Sequence, residues 1–301
     1  MRRMTIREPA AGACALALAL ACAGCVSPAG PPAPTAPGAP ASGTPTTGTP
    51  TPGTPTPVAD GTDAVHGWTK DRIRAAVAEH PGTTRTAAPT ALNSLVGAVF
   101  THSAAGDHFC TASVVDSAGL NLIVTAAHCV DDPRLGPRSD LVFVPGYRAG
   151  ETPNGVWPLL SVTVDPRWEE SGDPDIDVAF AVVAPQNGRQ VQQVLGANLL
   201  GIDRDHRLPV KVTGYPSSGD LPITCSNTSQ EQSPTQLRID CPDYTGGTSG
   251  SPWVTDFDPA TMTGTVVGVI GGYQQGGDTP DTSYSSYFGE DVQALYDRAT
   301  G

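Results

Sequence analysis

Three stretches decide the fold: Thr125-Ala126-Ala127-His128-Cys129, Asp177-Val178-Ala179-Phe180 and Gly246-Gly247-Thr248-Ser249-Gly250-Ser251-Pro252. They set a histidine, a carboxylate and a serine along the chain in that order. Nucleophilic acyl transfer needs this trio. A serine hydroxyl attacks poorly until an imidazole takes its proton, and the imidazole works only if a carboxylate holds its tautomer and steadies its charged form. Chain order separates unrelated folds that reach the same geometry. The glycines around Ser249 add a second signal, because only small residues let the backbone approach a substrate carbonyl. The Gly247 and Ser249 amides would then face the oxygen on which negative charge develops.

The motifs resemble those of the chymotrypsin-like (trypsin-like) serine endopeptidases. They are most similar to the bacterial branch that includes the glutamyl endopeptidases, where Gly-x-Ser-Gly-Ser-Pro replaces the animal Gly-Asp-Ser-Gly-Gly-Pro. The resemblance covers residues 95–299. It implies an all-β fold of two six-stranded antiparallel β-barrels with a C-terminal helix. His128 and Asp177 would fall in the first barrel and Ser249 in the second, meeting in the cleft between them. It further implies His128 as general acid–base, Asp177 as orienting carboxylate, Ser249 as nucleophile, Gly247 and Ser249 as oxyanion hole, and protein or peptide substrates. No cofactor is expected, and a monomer is. The rival reading is a non-catalytic binding or regulatory module that keeps a protease fold at the cell surface.

The strand pattern agrees with that layout. Short Val/Ile/Phe-rich runs separated by Gly, Pro, Asp and Ser predict strands at 95–100, 108–115, 120–125, 141–144, 160–164 and 178–183. A second set is predicted at 210–215, 223–226, 236–241, 252–255, 266–270 and 285–288. Val292, Leu295 and Tyr296, at i, i+3 and i+4, predict a helix over 291–298.

Two residues near Asp177 compete for its role. In Asp177-Val178-Ala179-Phe180-Ala181 the acid directly begins a strand, whereas Asp175 would serve only if the register slipped. The Asp173-Pro174-Asp175-Ile176-Asp177 run hints at calcium but lacks the glycine and distal glutamate of a calcium loop, so no metal is expected. Of seven cysteines, Cys14 and Cys22 lie in the leader and Cys25 close behind, leaving four that allow three pairings. The resemblance favours Cys110–Cys129, next to His128, and leaves Cys225–Cys241.

One departure concerns activation. Animal members carry Asp immediately before the nucleophile, to engage a freshly cut N-terminal amine; here that position is Thr248. Specificity is the least legible property. Asp243 stands at the offset from Ser249 where trypsin carries its pocket aspartate, which would select Arg or Lys; the alternative is a surface turn acid after Pro242. Gly271, Gly272 and Tyr273 are expected on the opposite wall, with the Gln274-Gln275-Gly276-Gly277 loop beside them. Glutamyl endopeptidases place His-Trp-Gly there, and this chain has no such histidine.

The chain has 301 residues, 39% of them hydrophobic, enough for one catalytic domain with appendages, while 34 Gly and 30 Pro favour turns and strands. A net charge of −13, with Lys70 and Lys211 the only lysines, argues against nucleic acid and anionic lipid as partners. Residues 1–25 read as an export signal: Arg2, Arg3 and Arg7, then an apolar run from Ala10 to Cys22 too short to span a bilayer. Ala23-Gly24-Cys25 matches the end of a lipobox, with Cys22 where Leu is usual, so a lipid on Cys25 is expected to hold the protein on the outer face of the membrane. Cleavage after Ala23 and free secretion is the alternative. Residues 26–64, rich in Pro, Thr and Gly with Gly-Thr-Pro repeated, cannot bury enough apolar surface to fold and read as a spacer. Residues 65–94 are expected to be an arm or propeptide, opening with a short helix bearing Ile73, Ala76 and Val77, ahead of a protease domain at 95–301.

Overall fold

The computed structural model describes residues 80–102 and 108–301. The export signal, Cys25, the spacer and the helix expected from Gly67 lie outside the described residues.

The described chain begins as an extended arm against the second half of the molecule. Its strand β1 (Arg85–Thr86) pairs antiparallel with Thr224 and Ile223. The Ala87 amide donates to the Pro222 carbonyl at 2.8 Å, and Ala87 is fully buried. A single turn follows, α1 (Ala91–Ser94), whose N-cap Thr90 accepts from the Asn93 amide. The sheet therefore starts upstream of the boundary expected at residue 95, because the arm covers its edge at β1.

The first half is a closed barrel. Its strands are β2 (Val96–Thr101), β3 (His108–Val115) and β4 (Leu122–Thr125), then β7 (Val142–Pro145), β8 (Trp157–Thr163) and β9 (Ala179–Val183), in the order β2-β3-β4-β9-β8-β7. Between β4 and β7 lie a short helix, α2 (Ala127–Val130), and a small hairpin of β5 (Asp131–Asp132) and β6 (Gly136–Pro137). All four residues of β4 are buried, so it reads as an unbroken apolar run rather than an alternation. Phe143, Trp157 and Phe180 fill the interior. Helix α3 (Pro166–Ser171) precedes β9, capped by the Asp165 carboxylate and closed by Gly172 in the left-handed region (φ 67°). Helix α4 (Val191–Leu195) follows β9.

The second half holds β10 (Leu199–Leu200), β11 (Pro209–Gly214), β12 (Ile223–Thr228), β13 (Gln230–Ser233), β14 (Gln236–Asp240), β15 (Pro252–Asp258), β16 (Thr263–Val269) and β17 (Thr282–Ser286). Six strands run β1-β12-β11-β15-β16-β10, and three run β13-β14-β17. The expected all-β double layout is present, with its second half arranged as these two sheets rather than as one closed six-stranded ring. Helix α5 (Glu290–Thr300) ends the chain, two residues longer at its C-terminal end than the periodicity predicts. It buries Val292 and Leu295, and Tyr296 packs edge-on to Phe180 of the first barrel at 5.6 Å.

Two disulfides cross-link distant segments: Cys110–Cys129 ties β3 to α2, and Cys225–Cys241 ties β12 to the end of β14. The second therefore joins the two sheets of the second half, where no closed ring of backbone hydrogen bonds does so. With its cysteines 16 positions apart in the sequence, the chain-entropy argument assigns it about 3 kcal/mol. Replacing both Cys225 and Cys241 with Ser should lower the unfolding free energy by about that amount in a denaturant titration. An unchanged midpoint would show that the two sheets need no covalent tie.

Candidate active site

The order of β4 and α2 places His128. Thr125, Ala126 and Ala127 are fully buried, so the strand enters α2 with its backbone sealed in the core. The Cys110–Cys129 bridge then anchors α2 one residue beyond the histidine. His128 alone in that turn is partly exposed, with 13% of its side chain accessible.

Asp177 sits between a short 3₁₀ turn, Pro174–Ile176, and β9. The turn is capped by Asp173, whose carboxylate accepts from the Asp175 amide at 3.0 Å. The Asp177 side chain is wholly buried and accepts three hydrogen bonds. The His128 amide donates to Oδ1 at 3.0 Å, the His128 Nδ1–H to Oδ2 at 2.7 Å, and the Gly272 amide to Oδ2 at 2.9 Å. A buried carboxylate is tolerable only when its lone pairs are met in this way. The Asp177 amide donates to Ser286 Oγ, which donates onward to the Pro174 carbonyl. Asp175 points elsewhere: its Oδ1 accepts from Gln236 Nε2 at 2.9 Å.

Ser249 stands on the loop between β14 and β15. That loop is closed by its own hydroxyls: Thr248 Oγ1 donates to the Thr245 carbonyl at 2.7 Å, and Ser251 Oγ to the Thr248 carbonyl at 2.6 Å. Thr248, only 2% exposed, thus fills the position of the animal aspartate with a local tie rather than an ion pair. Gly247 (φ 93°) and Gly250 (φ 80°) lie in the left-handed region that favours glycine. A side chain at Gly250 would collide with the Thr111 carbonyl and Thr125 Oγ1. Among the described residues, neither the Gly247 nor the Ser249 amide donates to a protein acceptor. His128, Gly247 and Ser249 line one cleft of about 510 Å³. A larger, mainly apolar groove of about 700 Å³, lined by Leu92, Val210, Val254 and Phe257 among others, contains none of them.

The expected pocket residues fall differently. Gly271 and Gly272 pack on Asp177: a Cβ at Gly271 would lie 2.9 Å from the Asp177 carbonyl oxygen. The Tyr273 amide donates to Gln236 Oε1, while its ring is half-exposed and edge-on to Tyr284. These three do not line the cleft; Gln274 to Pro280 do. Asp243 is exposed at a left-handed turn (φ 71°) and lies outside the cleft lining. The cleft carboxylate is Asp278, which nothing in the motif spacing singles out.

Thr111 is another residue without a sequence signal, since a threonine in a strand is ordinary. Its hydroxyl donates to the Gly247 carbonyl at 3.0 Å and accepts from the Tyr215 amide at 3.0 Å. Its own amide donates to the Ser249 carbonyl at 2.7 Å. One buried residue of the first barrel therefore sets the height of the serine loop.

The trypsin family model matches residues 83–287, and the chain belongs to that family. It is a serine endopeptidase, a hydrolase acting on peptide bonds. Among solved structures, the protease Anisep from Arthrobacter nicotinovorans is similar over 72% of this chain and 99% of its own, at 26% identity and a TM-score of 0.64. The thermostable serine protease AL20 from an extremophilic microorganism is similar over 70% and 99%, at 30% identity and a TM-score of 0.63. A Glu endopeptidase in complex with MPD shares the fold at 17% identity over 73% and 97%, with a TM-score of 0.58. That last likeness is one of fold alone. No curated protein matches the chain.

The Thr111 contacts generate a test. Thr111→Val keeps the shape but strands the Gly247 carbonyl and the Tyr215 amide. It should cost about 1–3 kcal/mol of stability and lower kcat/KM, because the Gly247 amide shifts. Unfolding titration and peptide turnover check this; a variant unchanged in both would remove Thr111 from the support of the loop.

Proposed function

We propose that the protein is an exported endopeptidase in which His128, Asp177 and Ser249 act as one unit through an acyl-enzyme. The observation that carries this reading is the 2.7 Å contact of His128 Nδ1 with the buried Asp177 carboxylate, in a cleft shared with Ser249. With its proton held on Nδ1, the imidazole presents Nε2 as the base. Nε2 takes the Ser249 proton as Oγ bonds to the scissile carbonyl carbon. Negative charge develops on the carbonyl oxygen, where the two undonated amides of Gly247 and Ser249 are available to receive it. The protonated imidazole, steadied by Asp177, gives its proton to the leaving amine, and the C–N bond breaks to leave an ester on Ser249. Water enters by the same route: His128 takes its proton, the hydroxide oxygen bonds to the acyl carbon, and the proton returns to Ser249 Oγ as the carboxylic acid leaves.

Export is read from the leader and from chemistry. Two disulfides in one domain suit an oxidising compartment outside the cytosol. We assign Cys25 as the lipid attachment site and residues 26–64 as the tether between membrane and enzyme.

A fluorophosphonate probe should label Ser249 in the processed protein. Ser249→Ala and His128→Ala should each reduce turnover to near background, with the double variant little worse, because groups acting together are strongly non-additive. Asp177→Asn should cost several orders of magnitude while leaving folding intact. Losses that multiply, or an innocuous Asp177→Asn, would break up the unit. For the anchor, Cys25→Ala should move the protein from the membrane fraction to the medium with activity per molecule retained. Wild-type protein found only in the medium would leave free secretion as the answer.

A further inference from the structure

We propose that the apolar groove on the second half is the seat of residues 65–79, which stay on the processed enzyme and pack into it as a strap rather than being removed as a propeptide.

The groove, of about 700 Å³, is walled by Pro81, Leu92, Val210, Val254, Phe257 and Met262. It lies where the N-terminal arm and α1 meet β11 and β15. Phe257 on its wall is 47% exposed, a large aromatic ring left in contact with water. Covering such a surface is favourable in proportion to the apolar area removed from solvent. The groove shares no lining residue with the cleft of His128 and Ser249, so filling it occupies none of the catalytic wall.

The path of the chain decides the occupant. The described residues begin at His80, and the next residue, Pro81, is already part of the groove wall. His80 to Thr83 form a reverse turn, in which the Thr83 amide donates to the His80 carbonyl at 3.1 Å. Pro81 and Gly82 (φ 73°) hold the two corner positions that favour these residue types. The Gly82 amide donates to the Ser226 carbonyl at 2.9 Å, which pins the turn to β12. A reverse turn fixed at the groove wall sends the preceding residues back across the molecule instead of out from it.

The sequence supplies a matching surface. In the short helix predicted from Gly67, Ile73, Ala76 and Val77 share one side, while Asp71, Arg72 and Arg74 fall on the others. At a helical rise of about 1.5 Å per residue, Val77 lies roughly 6 Å and Ile73 roughly 12 Å from Pro81 along the axis. Both can therefore reach a groove that Pro81 borders. A helix this short is marginal alone in water and gains its stability from an apolar seat. Joined to the wall by so short a link, it is present at an effective concentration of about millimolar, which a free partner would have to exceed. The family match begins at residue 83, so the segment is an addition to the shared fold.

The test uses the processed, full-length protein. Its intact mass should include Ile73 to Glu79; a mature chain starting beyond Ile73 overturns the proposal. The double variant Ile73→Asp/Val77→Asp should lower the thermal midpoint on the order of 5 °C, the scale expected for losing two buried aliphatic groups. It should also bind the apolar dye anilinonaphthalene sulfonate, which wild-type protein should not. Phe257→Ser should lower the midpoint too, and combining it with the double variant should add little, because both remove the same contact. Ile73→Ser/Val77→Ser substitutes if the acidic pair does not fold. An unchanged midpoint, losses that simply add, or equal dye binding by wild type and variant overturns the strap. So does a wild-type dimer in sedimentation that Phe257→Ser abolishes, since the groove would then hold a second copy.

Discussion

The buried carboxylate of Asp177 is the constraint on which the rest of the arrangement depends. It has no access to water, so its charge must be met by protein donors, and those donors come from both halves of the molecule. The His128 amide and ring belong to the first barrel; the Gly272 amide belongs to the segment after β16. Removing any of the three would leave part of a buried charge uncompensated, a far larger penalty than the loss of an ordinary surface contact. Docking of the two halves is thereby coupled to the orientation of the histidine. The small side of Gly271 belongs to the same constraint, because a Cβ there would press on Asp177 itself.

A second set of contacts aligns the serine loop with that histidine. Thr111 and Thr125 present hydroxyls and carbonyls from adjacent strands of the barrel, and Gly250 lies against them with no room for a side chain. Strands are stiff, while a glycine-rich loop is not, so the barrel supplies the rigidity and the loop takes its shape from it. Thr248 completes this from within the loop, bonding to Thr245. Among the described residues, the loop around Ser249 is thus held by hydrogen bonds from Thr111, Thr248 and Ser251.

The wall opposite the serine loop is built on different principles. Its left-handed turn is closed by local backbone hydrogen bonds, with Gly276 buried against Ile270. Loops of this kind vary without disturbing the scaffold, which is how one fold carries many specificities.

The sequence by itself determined the chemistry-bearing groups and the layout around them. Thr-Ala-Ala-His-Cys and Gly-Gly-Thr-Ser-Gly-Ser-Pro are local patterns, legible because the constraints on them act over a few residues: a sealed strand end, a turn that admits only glycine. The strands His108–Val115 and Ala179–Val183 were likewise visible in β-branched runs, and α5 in its apolar spacing. Helices α3 and α4 were not, since five or six residues carry too little periodicity to stand out, although Asp165-Pro166 and Gly172 mark the ends of one. What only the tertiary structure decided is which distant segments meet. Asp243 and Asp278 look alike as acids near glycines, and their separation from Ser249 along the chain says nothing about which one faces the cleft. The same holds for Thr111, for Gly272 on Asp177, and for the arm at β1, whose roles come from long-range contacts. A strand reveals its own pattern in sequence, but the partner it is packed against is set by the folding of the whole chain.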